Sequence, residues 1–81
     1  MMERLYELKA GKIGRVKSLL LDGTMRRRLM DIGFYQGSRI ACLGKSPLGD
    51  PIAYEINGAV IALRKEDAKK IEIITEDQAW D

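Results

Sequence analysis

The dipeptide Asn57-Gly58 constrains this chain more than any other feature. A two-residue type I′ turn needs positive φ at both central positions, and Asn-Gly is the strongest short hairpin signal a sequence offers. Before it, Ile52, Tyr54 and Ile56 alternate with Ala53 and Glu55; after it, Ala59 to Leu63 reads as the return strand. The spacing predicts a hairpin with Ile52, Tyr54 and Ile56 on its buried face.

The rest of the chain is cut into similarly short pieces. After a leader, Leu5 to Ala10, and the turn-prone Gly11, Ile13 to Leu21 reads as a strand with Val16, Ser18 and Leu20 on one face and Arg15 and Lys17 on the other. Asp22-Gly23-Thr24 breaks it, and Asp22 or Thr24 is the candidate N-cap of a short helix from Met25 to Ile32, closed by Gly33. Met25, Leu29 and Ile32 form the stripe that helix would bury, with Arg27 and Asp31 opposite. Of Phe34-Tyr35, one ring is expected inward and one outward. Beyond Gly37, Ile40 and Cys42 share an inward face, and Ser46-Pro47-Leu48-Gly49-Asp50-Pro51 is a turn cluster. Arg64 to Lys70 reads as one helical turn with Ala68 inward, and Ile71 to Ile74 as a last strand with Ile71 and Ile73 inward. Residues 1–75 thus read as one domain, and 76–81 as a frayed acidic tail.

This pattern predicts an all-β class: a small SH3-like antiparallel barrel of about five strands, with one helix inserted after the first and a helical turn before the last. Closing the sheet is the expected way for so short a β chain to remove its edges.

Composition narrows the chemistry. The 81 residues include no His and one Cys, which removes the usual general base near neutral pH and the common zinc ligand sets. No Ser, Cys or Lys has an identifiable base beside it, so the chain does not read as an enzyme, and no cofactor is implied. One Cys closes no intramolecular disulfide, no secretory leader precedes the strands, and no apolar run reaches the length of a membrane span; the expected location is the cytoplasm.

Three motifs invite a sharper reading. Gly44-Lys45-Ser46 resembles the end of a phosphate loop, but the position that needs the first glycine is Arg39, and a Pro turn follows where a helix should start. Arg26-Arg27-Arg28 is the densest positive charge, yet three consecutive helical residues fan around the axis and make no stripe along a phosphate backbone. With a net charge of +2, nucleic acid is not the expected partner. Glu66, Asp67, Glu72, Glu76 and Asp77 follow no calcium-loop spacing, and Cys42 points inward, so no metal site is assigned. The strands spend their inward positions on the core, which leaves the added elements to specify a partner. Arg26, Arg27, Met30 and Tyr35, with Pro47, Leu48 and Asp50 of the turn, are the candidate partner-binding residues, and Leu19, Leu21 and Val60 the candidates for self-association.

Several of these residues occur in an order and spacing that resemble a known family. Leu5 with Leu8, Gly11, Gly14 and Val16, the helix exit Arg28-Leu29 with Asp31-Ile32-Gly33, Gly37, the turn Pro47-Leu48-Gly49-Asp50-Pro51, and Ile61-Ala62-Leu63-Arg64 with Ala68 and Ile71 are similar to the ferrous iron transport protein A family. The resemblance runs from Leu5 to Ile74 and implies an SH3-like barrel with an inserted helix. It also implies a small cytosolic accessory of bacterial ferrous iron uptake that binds the membrane iron permease at its cytosolic GTP-binding part, without catalysis of its own. Family-level transition-metal binding would have to be met here without histidine. The alternative is a free-standing regulatory module related to the C-terminal SH3-like domain of metal-dependent transcriptional repressors.

Overall fold

The computed structural model describes residues 2–75. In chain order these form β1 (Met2–Arg4), a 3-10 helix (Leu5–Glu7), β2 (Ile13–Leu19), α1 (Gly23–Ile32), β3 (Arg39–Lys45), β4 (Ile52–Ile56), β5 (Ala59–Leu63), α2 (Lys65–Ala68) and β6 (Ile71–Thr75). The expected tail from Glu76 lies outside the described residues.

The Asn57-Gly58 hairpin forms with φ of 53° and 80° at the two turn residues, the signs a type I′ turn requires. Ile56 faces Ala59 and Ile52 faces Leu63 across it. Ile52, Tyr54 and Ile56 all point inward, as their alternation predicts. They join Leu5, Val16, Leu29, Phe34, Ile40, Cys42, Ala68, Ile71 and Ile73 in one buried cluster. Residues from the hairpin and from β6 meet in that cluster, so the sheet curls around it. Two bulges supply the bend, one between Val16 and Ser18 and one between Cys42 and Gly44.

Among the described residues the sheet has six antiparallel strands in the order β1-β6-β2-β3-β4-β5. The additional strand is β1, which pairs Met2 with Ile74 and Arg4 with Glu72. Only three residues long, it has too little alternation to be seen locally. Among the described residues the hydrogen-bonded ladder ends at β1 and at β5 and does not close on itself. The leader expected from Leu5 starts as the 3-10 helix, where Glu7 Oε1 accepts the Arg4 N–H at 2.8 Å.

Two inward assignments fail for identifiable reasons. The bulge in β2 shifts the phase of the strand, so Leu20 lies exposed and Leu21 buried. Ile32, at the end of the helical stripe, stays 36% exposed because α1 stands off from β5 there and leaves a groove. Leu21 is buried and Leu19 packs against the core, so neither is available for the self-association expected of them; Val60 remains exposed.

Helix α1 ends as Gly33 predicts. The Gly33 N–H donates to Met30 O at 3.0 Å, and the Phe34 N–H reaches back to Leu29 O at 3.0 Å, which is a Schellman closure. Its accompanying apolar contact pairs Phe34 with Leu29, both buried. Asp22 occupies the N-cap position in extended conformation, but its side chain makes no capping bond. Tyr54 sits fully inside with its hydroxyl donating to Leu5 O at 3.3 Å. Burial pushes its phenol pKa well up, and neighbouring Cys42 adds to the shift.

Candidate docking surface

Four of the seven sequence-assigned contact residues come together. Arg26, Arg27, Met30 and Tyr35 line one open hollow of about 810 Å³, with Gly23, Thr24 and Asp31 completing its wall. Helical spacing brings them there: Met30 lies four residues after Arg26 and Asp31 four after Arg27, while the Schellman turn throws Phe34 into the core and leaves Tyr35 outside, 55% exposed. Thr24 and Asp31 are not among the contact residues assigned from the sequence, although the same spacing, three before and four after Arg27, marks them.

The electrostatics of the hollow are mixed. Arg26 is partly spent within the fold, its guanidinium donating to Leu19 O at 2.8 Å and so tying the first turns of α1 to the end of β2. Among the described residues, the side chains of Arg27 and Asp31 have no hydrogen-bond or ion-pair partner. Half-buried Met30 and the Tyr35 ring add an apolar floor and an amphipathic edge. The hollow therefore offers two guanidinium charges, that of Arg26 anchored to the fold, one carboxylate and polarizable apolar surface within reach of one another, a make-up suited to a protein contact.

Pro47, Leu48 and Asp50 do not line this hollow. Their turn is internally braced: the Gly49 N–H donates to Ser46 O at 2.8 Å, the Ser46 N–H to Pro51 O at 3.0 Å, and the Ser46 hydroxyl to Asp50 O at 2.7 Å. The Asp50-Pro51 peptide is cis. Leu48 projects at the tip, 94% exposed. Asp50 also has a task within the fold: its carboxylate accepts the Lys65 N–H at 2.8 Å and caps α2 from across the chain. Asp50→Ala is expected to cost about 0.5 to 2 kcal/mol in a urea titration, the usual effect of removing an N-terminal cap.

Cys42 is buried, and among the described residues no group of three or more His, Cys, Asp or Glu gathers in a way that would hold a metal ion. The donor set among the described residues does not fit a resident metal, and no step is assigned to one. No described helix is long and apolar enough to cross a membrane.

Comparison with known proteins places this geometry. In sequence, the chain is 37% identical over 70 residues to the Fe(2+) transport protein A/Fe(2+) transporter FeoB fusion protein of Porphyromonas gingivalis, which covers 86% of this chain and 8% of that protein's length. In structure, it is similar to the FeoA protein of Chlorobium tepidum, at a TM-score of 0.88 and 38% identity, over 98% of this chain and 73% of that one. It is also similar to Stenotrophomonas maltophilia FeoA complexed with zinc, described as a procaryotic SH3 domain protein, at a TM-score of 0.78 and 27% identity, over 88% of each chain. A manganese-dependent transcriptional repressor shares the fold alone, at a TM-score of 0.80 and 24% identity, over 91% of this chain and 41% of that one. The FeoA domain family model matches residues 3–75, and the chain belongs to that family of small SH3-like proteins.

Proposed function

We propose that this protein is a cytoplasmic accessory of ferrous iron transport that acts by docking to the membrane iron permease, at its cytosolic GTP-binding part, and catalyses no reaction itself. The observation that carries the reading is the fusion of a 37% identical segment with an Fe(2+) transporter in one polypeptide, since covalent linkage is useful where two parts work in contact. The α1 hollow is the docking surface. It lies outside the barrel's core positions, and it combines the uncommitted Arg27 and Asp31 with Met30 and Tyr35.

The test is a backbone amide NMR titration with the permease's purified cytosolic domain, with and without a GTP analogue and Fe(II). Shifts are expected at residues 23–31 and at Tyr35. Arg26 braces the fold, so the informative double variant is Arg27→Ala with Met30→Ala. It is expected to weaken binding about tenfold or more while leaving the melting temperature nearly unchanged. Absence of shifts at high micromolar concentration would sink docking to that domain, and would favour a regulator acting elsewhere, as the fold shared with the repressor suggests.

A further inference from the structure

A second groove lies on the other flank of α1, apart from the hollow described above. Strand β5, Ala59-Val60-Ile61-Ala62-Leu63, ends the sheet and carries no charge and no proline. Edge strands of this kind pair readily with added chains unless a device blunts them. The hairpin fixes which backbone groups are free. With a two-residue loop, Ile56 and Ala59 form a hydrogen-bonded pair, so Tyr54 with Ile61 and Ile52 with Leu63 do as well. Val60 and Ala62 fall at the alternate positions, and their N–H and C=O groups point away from β4 toward the free edge. Both residues are exposed, Val60 at 66%.

That edge borders a groove of about 390 Å³ between β5 and α1. Met25, Leu29, Ile32, Ile61 and Leu63 make its apolar surface, and Arg28, Arg64 and Asp67 stand around it. Among the described residues neither guanidinium has a hydrogen-bond or ion-pair partner, and Asp67 forms no ion pair with them within 4.0 Å. The hairpin tip is bonded to the end of the helix, with Asn57 Nδ2 donating to Ile32 O and Gly33 O at 3.4 Å, so helix and strand are held side by side.

We infer that this groove binds an extended segment of a partner protein by strand addition to β5, the segment carrying alternating apolar side chains and a carboxylate. Main-chain bonds to Val60 and Ala62 supply affinity, every second side chain enters the apolar groove, and Arg28 and Arg64 select the acidic residue. A second copy of this chain fits less well, because its own β5 carries no carboxylate to meet Arg28 and Arg64.

The probes are three capped heptapeptides: Thr-Glu-Thr-Val-Thr-Ile-Thr, in which the carboxylate and the apolar side chains share one face, its analogue with Lys in place of Glu, and a version N-methylated at alternate residues. The acidic peptide is expected to shift the Val60 and Ala62 amides and to slow their hydrogen exchange about tenfold or more at millimolar concentration. N-methylation should abolish that protection, and Arg28→Glu with Arg64→Glu should reverse the preference to the Lys peptide. Ala62→Pro removes an outward N–H without removing a bond to β4, so it should keep a folded spectrum and lose binding. If that variant does not fold, the charge-reversal pair decides. Either of two results overturns the inference: no protection of these amides by the acidic peptide, or protection that appears without peptide as protein concentration rises and the sedimenting mass doubles.

Discussion

Leu29→Ala is expected to lower the free energy of unfolding by about 2 to 5 kcal/mol, the range for removing a fully buried leucine from a packed core. Leu29 is 1% exposed and is the residue through which α1 reaches the barrel core. Its carbonyl also receives the Gly33 and Phe34 N–H groups that end the helix, and its side chain meets Phe34. The truncation thus removes apolar burial and leaves a void beneath the helix closure. A domain of this size has a total stability of roughly 4 to 12 kcal/mol, so the loss takes a large share of it. Urea titration followed by circular dichroism measures it. A loss below about 1 kcal/mol would mean that α1 rests on the barrel without anchoring it.

Gly33→Ala is expected to be comparably damaging for a different reason. Gly33 has φ of +121°, a conformation that side chains rarely adopt, and a Cβ there would lie 1.8 Å from Asn57 Nδ2. Strain of this kind costs about 1 to 3 kcal/mol by itself, and the clash pushes aside the side chain that ties the hairpin to the helix. The two parts separate in a double-mutant cycle with Asn57→Gly, which clears the space and leaves the backbone strain. Partial recovery of the thermal midpoint in the double variant, relative to the two losses added together, is the expected result. Strict additivity would show that the contact between helix end and hairpin carries no coupling.

These two residues also show how far the sequence speaks. Gly33 declares the end of α1 and Leu29 its buried stripe, because capping and helical period are local chemistry, and Asn57-Gly58 declares its hairpin for the same reason. Asn57 reaching the carbonyls of Ile32 and Gly33 is invisible locally, since only the tertiary fold brings residues 25 and 24 positions apart into contact. Lys17 and Leu43, each the extra residue of a bulge, reset the inward phase of their strands, so Leu20 and Leu21 exchange the roles that strict alternation gives them. In the candidate surface, the helical spacing of Arg26, Arg27 and Met30 is legible, whereas the bond from Arg26 to Leu19 O is not. Asp50 reads as a turn residue and serves as one, yet its carboxylate is fixed by an N–H that arrives fifteen residues later. Sequence patterns reveal which face a side chain takes, and a long-range partner then decides whether that side chain is free to bind anything else.

The pairing of β1 with β6 bears on how this domain comes into being during synthesis. Met2 has its ladder partner at Ile74, so the domain's own first strand waits for nearly the whole domain to be synthesised before it has its partner strand. At about 5 to 20 residues per second, that interval lasts several seconds, during which the nascent chain holds an unpaired edge and an unfilled core. Contacts of such long sequence separation also place the domain among the slower folders for its length. In a polypeptide that continues into a membrane transporter, the order of emergence would then matter: this module folds as a unit only when its last strand has cleared the tunnel.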